Sequence, residues 1–265
     1  MTRSLTSFII SLCIISLCSF SVFGASNGSG YSWYCVRNKE HLQPVADANM
    51  RFIEDYGGFY VDKNHSDADK EKVIYLTFDA GYENGNVEKI LNVLKEKQVS
   101  AAFFVLQNII TKNQDLILRM IDEGHLVCNH TSKHLDVTGC KTVDELGEEL
   151  RSLEETYKNA TGMDMPKYFR PPEGRFSEQS MKFADELGYK TIFWSFAYAD
   201  WDNSSQPSCE VAKEKILSNL HNGEIMLLHP TSATNAAILG DIIDEIRAQG
   251  YRFGTLDELT NVERG

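Results

Sequence analysis

From residue 73 onward two kinds of segment alternate, and this rhythm limits the fold more than any other feature of the chain. Short runs rich in Val, Ile, Phe and Tyr fall at Val73 to Phe78, Ala101 to Leu106, His125 to Asn129, Tyr168 to Arg170, Thr191 to Phe196, Glu224 to Leu228 and Tyr251 to Gly254. Amphipathic stretches lie between them near 85–97, 112–123, 142–159, 177–187, 208–221 and 236–248, several closed by Gly124, Gly188, Gly223 or Gly250. Alternating β and α units predict a parallel sheet with helices outside, because parallel neighbours need a crossover and a helix supplies it. Glycine just past a helical pattern marks a helix stop. Seven strands suit either a barrel or an open doubly wound sheet, and periodicity alone does not separate the two.

At 265 residues and 42% hydrophobic, the chain can bury the core of one large domain. Residues 1–25 read as a secretory signal peptide: Arg3 precedes an apolar stretch from Phe8 to Phe23, and Val22 and Gly24 fit the small-residue cleavage pattern. The alternative is an uncleaved anchor, for which the stretch is short against the roughly 20 apolar residues a spanning helix needs. Either way the working part is expected outside the cytosol, secreted or associated with the cell envelope. Residues 26–71 are polar and weakly periodic and end in the charged run "DKNHSDADKEK", which predicts an N-terminal extension packed on a domain over 72–265.

The formal charge of −12 would repel nucleic acid or an anionic membrane surface, so a neutral or locally cationic substrate is expected. Two of the six cysteines, Cys13 and Cys18, lie in the signal segment. The other four, Cys35, Cys128, Cys140 and Cys209, show no CxxC spacing and allow three pairings or free thiols.

The titratable residues fall at strand ends. Asp79 follows the first strand, His130 the third, Arg170 ends the fourth, Asp200 lies past the fifth and His229 follows the sixth. Carboxyl ends of parallel strands face one side, so these groups converge on one pocket. In "NHTSKH", His130 and His134 stand four apart and point the same way if the loop turns helically, a spacing that suits a divalent metal of the zinc type. Beside a metal-bound water, Asp79 is a general base; its plainer reading is a turn cap before glycine. His229 would face it as general acid, with Asp200 of "ADW" holding that imidazole protonated. Arg170 of "FRPPEG" can orient Asp79 through its planar fork, and the stiff loop of Pro171, Pro172, Glu173 and Gly174 offers backbone N–H groups to a developing oxyanion. Trp194, Phe196, Tyr198 and Trp201 offer ring faces to a bound molecule or fill core.

Taken together and in order, "TFDAG", "HTSKH", "RPPEG", "ADW" and "LLH" resemble the five motifs of the NodB-type polysaccharide deacetylases, carbohydrate esterase family four. The resemblance implies a distorted seven-stranded (β/α) barrel and metal-dependent hydrolysis of the N-acetyl group of a hexosamine. By position it makes Asp79 the base, His229 the acid, Arg170 and Asp200 their partners, and His130 and His134 ligands of a divalent metal, most simply Zn²⁺. Three departures stand out: Ala80 occupies the place of a second acid that serves as third metal ligand, Glu173 that of a frequent aromatic, and Ser195 and Ala197 those of two acids before "ADW".

With "WYCVRNKEHLQP" ahead of the barrel, these departures look most like the muramic δ-lactam forming de-N-acetylases of spore-cortex peptidoglycan, which act after an amidase has removed the peptide stem. Pro172, Glu173, Gly174 and Trp201 are then expected to contact the glycan. Arg170 and Arg175 are the candidates for meeting its lactyl carboxylate. The alternatives are deacetylation of N-acetylglucosamine, which activity on glycans lacking muramic acid would reveal, and a non-catalytic glycan-binding relative, which would hold no metal and turn nothing over.

Overall fold

The computed structural model describes residues 30–38 and 40–261. The expected signal segment 1–25, with Cys13 and Cys18, lies outside the described residues. Eight strands form the main sheet: β1 (Gly58–Phe59), β2 (Lys72–Ala80), β3 (Ala102–Val105), β4 (Leu126–Asn129), β5 (Tyr168–Phe169), β6 (Lys190–Ile192), β7 (Glu224–Leu228) and β8 (Tyr251–Phe253). Their order is β7-β2-β3-β4-β5-β6-β1, with β8 paired to the first residues of β2, and every ladder is parallel. The chain past β6 then returns to β7: Phe196 bridges Met226, and Val61, just after β1, bridges Glu224. The sheet therefore curls into the distorted barrel expected from the motifs. Its seam is closed by single bridges rather than by a full ladder.

All seven sequence-predicted strands are present. The eighth, β1, comes from the extension, whose Gly58 and Phe59 pair with Thr191 and Ile192 of the domain that follows. The expected helices are α1 (Val87–Lys97), α3 (Gln114–Asp122), α4 (Val143–Thr161), α5 (Glu178–Glu186), α6 (Cys209–Leu217) and α7 (Ala233–Ala248); the short α2 (Gln107–Lys112) and α8 (Leu256–Thr260) are additional. Gly124, Gly188, Gly223 and Gly250 all take positive φ, as the stops require.

The pleat divides the core. Ile74, Leu76, Phe78 and Ala80 of β2 pack outward with Ile90, Leu94, Ile242 and Ile243 of α1 and α7. Val73 and Tyr75 pack inward with Phe104, Ile225 and, from α8, Leu256 and Leu259. Among the described residues no helix is long and apolar enough to cross a membrane. Cys35, Cys140 and Cys209 carry free thiols, and Cys128 is buried in the inward cluster.

Candidate active site

The alternation that builds the core also aims the site. Val73, Tyr75, Thr77 and Asp79 share one face of β2, and beyond its carboxyl end a cavity of 660 Å³ opens, lined among others by Asp79, His130, His134, Glu173, Trp201 and His229. Beneath it Arg170 is completely buried. Its Nη1 donates to Asp79 Oδ1 at 2.8 Å, Nη2 to Thr77 Oγ1 at 2.9 Å and the Phe193 carbonyl at 3.2 Å, and Nε to the Ile192 carbonyl at 2.9 Å. The fork is thus shared between the carboxylate and the barrel wall. One arm holds Asp79 and the rest anchors the arginine to the barrel wall. Burial by itself would raise the Asp79 carboxyl, but Arg170, His130 and His229 outweigh it and hold it below the usual carboxylate range.

His130 follows β4 and is buried. Its Nδ1 donates to the Arg170 carbonyl at 2.8 Å, and since a carbonyl only accepts, the ring proton sits there. Burial, partly offset by Asp79, pulls this imidazole down to about 4, so it is neutral at pH 7. Nε2 then presents a bare lone pair 3.6 Å from Asp79 Oδ2. Two acceptors facing each other without a hydrogen repel, and a cation relieves that repulsion.

His134 brings a second imidazole, its ring edge-on to His130 with centroids 5.3 Å apart. The two converge, but not through the helical turn that their spacing suggested. Thr131 and His134 have left-handed backbones (φ 67° and 60°), a strain of order 1–3 kcal/mol each. The Thr131 N–H donates to Asn129 Oδ1 at 2.9 Å and the Leu135 N–H to Thr131 Oγ1 at 3.0 Å, which holds the loop in that shape. Two converging imidazoles, one of them with a bare Nε2, suit a divalent ion of the zinc type. Among the described residues no three His, Cys, Asp or Glu side chains converge as a metal site. Ala80 is fully buried in the outward apolar cluster.

Across the cavity His229 follows β7. Its Nδ1 donates to Asp200 Oδ1 at 2.7 Å and its backbone N–H to Asp200 Oδ2 at 2.8 Å. Burial would lower this imidazole, yet the bond to Asp200 and the charges of Asp200 and Asp79 prevail and raise it above its ordinary value. The site so pairs a carboxylate whose ionised form is favoured with an imidazole whose protonated form is favoured, the division that acid–base chemistry needs.

At the rim Trp201 is 61% exposed, with its ring edge-on to His229 at 6.1 Å, and Tyr82 is exposed with its hydroxyl accepting from Asn203 Nδ2 at 2.8 Å. Of the glycan-contact residues expected from sequence, Glu173 and Trp201 line the cavity; Pro172 and Gly174 are buried behind it. The N–H groups of Gly174 and Arg175 close the turn on the Pro171 and Pro172 carbonyls, so the loop's remaining N–H belongs to Glu173, which is left-handed (φ 56°). Arg175 donates to Asp136 Oδ2 at 2.7 Å, and Arg170 is sealed under Asp79, so both arginines considered for the lactyl carboxylate are engaged. Trp194 and Tyr198 line the cavity, whereas Phe196 is wholly core.

Three contributors escaped the sequence reading. Thr77 supports Arg170, and its position two residues before Asp79 on one strand was the available signal. Trp33 of the extension donates from Nε1 to the Trp194 carbonyl and from its backbone to the Gly174 carbonyl, both at 2.8 Å, bracing the "RPPEG" loop. Asn235 in α7 donates to Asp200. The last two act across more than 30 residues of sequence and leave no local mark.

The chain is similar to proteins of known family. A family model described as polysaccharide deacetylase matches residues 66–192. The peptidoglycan-N-acetylmuramic acid deacetylase PdaA of Bacillus subtilis is 41% identical over 229 residues, covering 86% of this chain and 85% of that protein. The solved structure of B. subtilis PdaA, a family 4 carbohydrate esterase, superposes with a TM-score of 0.82 at 39% identity, covering 89% of this chain and 99% of that one. A family 4 carbohydrate esterase from Bacillus anthracis gives 0.72 at 39% identity, covering 91% and 100%. Deacetylases of this family are in general metal-dependent. The chain belongs to the polysaccharide deacetylases, carbohydrate esterase family 4, and is a hydrolase of that family.

Proposed function

We propose that this chain removes the N-acetyl group from N-acetylmuramic acid in peptidoglycan, releasing acetate and a free amine on the sugar. One observation carries the reading: an anionic Asp79, two converging imidazoles and an Asp200-held His229 line a single cavity, in a chain 41% identical to PdaA over 86% of its length. That similarity extends well beyond residues 66–192, so we include residues 26–71, with Trp33 against the cavity loop, in the working unit.

His130 and His134 would hold a divalent ion, most simply Zn²⁺, which supplies Lewis-acid polarisation of the acetamide carbonyl. With Ala80 in place of a second acid, the two imidazoles are the proposed protein ligands, at a cost in affinity and with more positions left open. Asp79, kept ionised by Arg170, accepts a proton from the attacking water as its oxygen bonds the acetyl carbon. The Glu173 N–H is the loop's candidate donor to the oxyanion. His229 gives its Nε2 proton to the nitrogen as the C–N bond breaks, and Asp200 stabilises the imidazolium until then.

A muramic acid whose peptide stem has been removed carries a free lactyl carboxylate beside the new amine, and their condensation gives a δ-lactam. We therefore propose a role outside the cytosol, after an amidase, in spore-cortex peptidoglycan. The test is acetate release from peptide-stripped muramyl glycan beside N-acetylglucosamine oligomers, with chelator and with Zn²⁺ restored, and with Asp79→Asn as control. Release from the muramyl glycan alone, lost with chelator and in the variant, is expected. Release only from the glucosamine oligomers would overturn the substrate. Silence on both from folded protein would overturn the activity.

A further inference from the structure

Asn235 belongs to none of the sequence motifs, yet it is buried beside the site in the first turn of α7. Its backbone N–H donates to the Ser232 hydroxyl that caps the helix, so the side chain is not needed to start α7. That side chain makes three other bonds. Nδ2 donates to Asp200 Oδ2 at 2.6 Å and to the His229 carbonyl at 3.1 Å, and Oδ1 accepts from the Tyr198 hydroxyl. A carboxylate and a carbonyl only accept, so the amide cannot be turned over: its NH₂ has to face them. Asp200 Oδ2 thus has two donors, Asn235 and the His229 backbone, while Oδ1 takes the imidazole N–H.

We propose that Asn235 is a positioning residue for proton donation: it locks the rotation of the Asp200 carboxylate, and through it keeps the His229 proton on Nδ1 and turns Nε2 toward the cavity. The proposal rests on His229 as the acid. Three charged groups act on that imidazole, Asp200 through the direct bond and Asp79 and Arg170 through space. Without the amide, Asp200 Oδ2 keeps only the His229 N–H and the carboxylate is free to turn.

Asn235→Asp keeps the shape and sets a second carboxyl against Asp200. Once the second carboxyl ionises, its added negative charge favours the charged imidazole, so the His229 midpoint should rise by about one unit. Ring ¹⁵N NMR reads this without turnover, so its outcome stands apart from whether any glycan is deacetylated. In the active enzyme the alkaline limb of kcat moves upward with it. Asn235→Ala should lower kcat about tenfold with KM within about twofold, the signature of an interaction made in the transition state. If Asn235→Asp does not fold, Tyr198→Phe frees only the hydroxyl that orients Oδ1, and kcat should fall about threefold at unchanged KM. An unmoved His229 midpoint in folded Asn235→Asp, or parental kcat in Asn235→Ala or in Tyr198→Phe, would overturn the proposal.

Discussion

Thr77 is wholly buried on the same face of β2 as Asp79, and its hydroxyl serves two neighbours at once. It accepts from Arg170 Nη2 at 2.9 Å and donates to the Met226 carbonyl at 2.8 Å. Thr77→Val preserves volume and opens no cavity, so its effect isolates the hydroxyl. A hydrogen bond to a charged group contributes about 1.5–3 kcal/mol and a neutral one about 0.5–1.5 kcal/mol. Arg170 Nη2 keeps the Phe193 carbonyl at 3.2 Å, which softens the first loss. We expect a total near 2–3 kcal/mol, or about 4–10 °C in the unfolding midpoint for a domain of this size. Urea unfolding should show a lower midpoint at unchanged slope, because surface exposed on unfolding is the same. The Arg170 bond to Asp79 is not removed, so turnover should fall by less than about tenfold. Thr77→Ser restores the hydroxyl and should recover most of the stability. Refutation would come from a valine variant within about 0.5 kcal/mol of the parent, or from a serine variant as damaged as the valine.

Glu224 is fully buried with Oε1 unpartnered, and burial pushes its carboxyl well above the ordinary range. The folded protein holds its proton to higher pH than the unfolded chain, which ionises it above about 4.5. Its contribution is complete below that pH and drains away as pH rises toward the folded value, so Glu224→Gln should match the parent near pH 4 and exceed it in unfolding midpoint near pH 8. The alkaline limb of the kcat/KM profile should lie above the ordinary imidazole value of 6.5, because His229 is raised. An alkaline limb at or below that value would contradict the site electrostatics. Gly174→Ala puts a Cβ 2.7 Å from the Trp194 ring at φ +63°, and should destabilise by about 1–3 kcal/mol and lose acetate release beyond what unfolding explains.

Much of this was legible in the residues. The rhythm of short apolar runs and amphipathic stretches placed the strands and helices after residue 73, and glycine stops marked where helices hand over to strands. Five polar residues at strand ends converge because a parallel sheet points all its carboxyl ends one way. The two-residue strand β1 carries no periodicity, and only its partners Thr191 and Ile192, more than 130 positions later, make it a strand. The loop from His130 to His134 misled for a related reason: spacing speaks to side-chain direction only where the backbone is regular, and here two left-handed residues set it.

Local pattern, then, determined the element types, their order and the identities of the reacting groups, because these follow from backbone periodicity and side-chain chemistry. Tertiary structure alone decided how those groups are held: the sharing of the Arg170 fork, the neutral state of His130, and the supports from Trp33, Thr77 and Asn235. Each of these depends on desolvation and on hydrogen-bond partners brought together by the closed barrel, and neither exists until distant segments have packed.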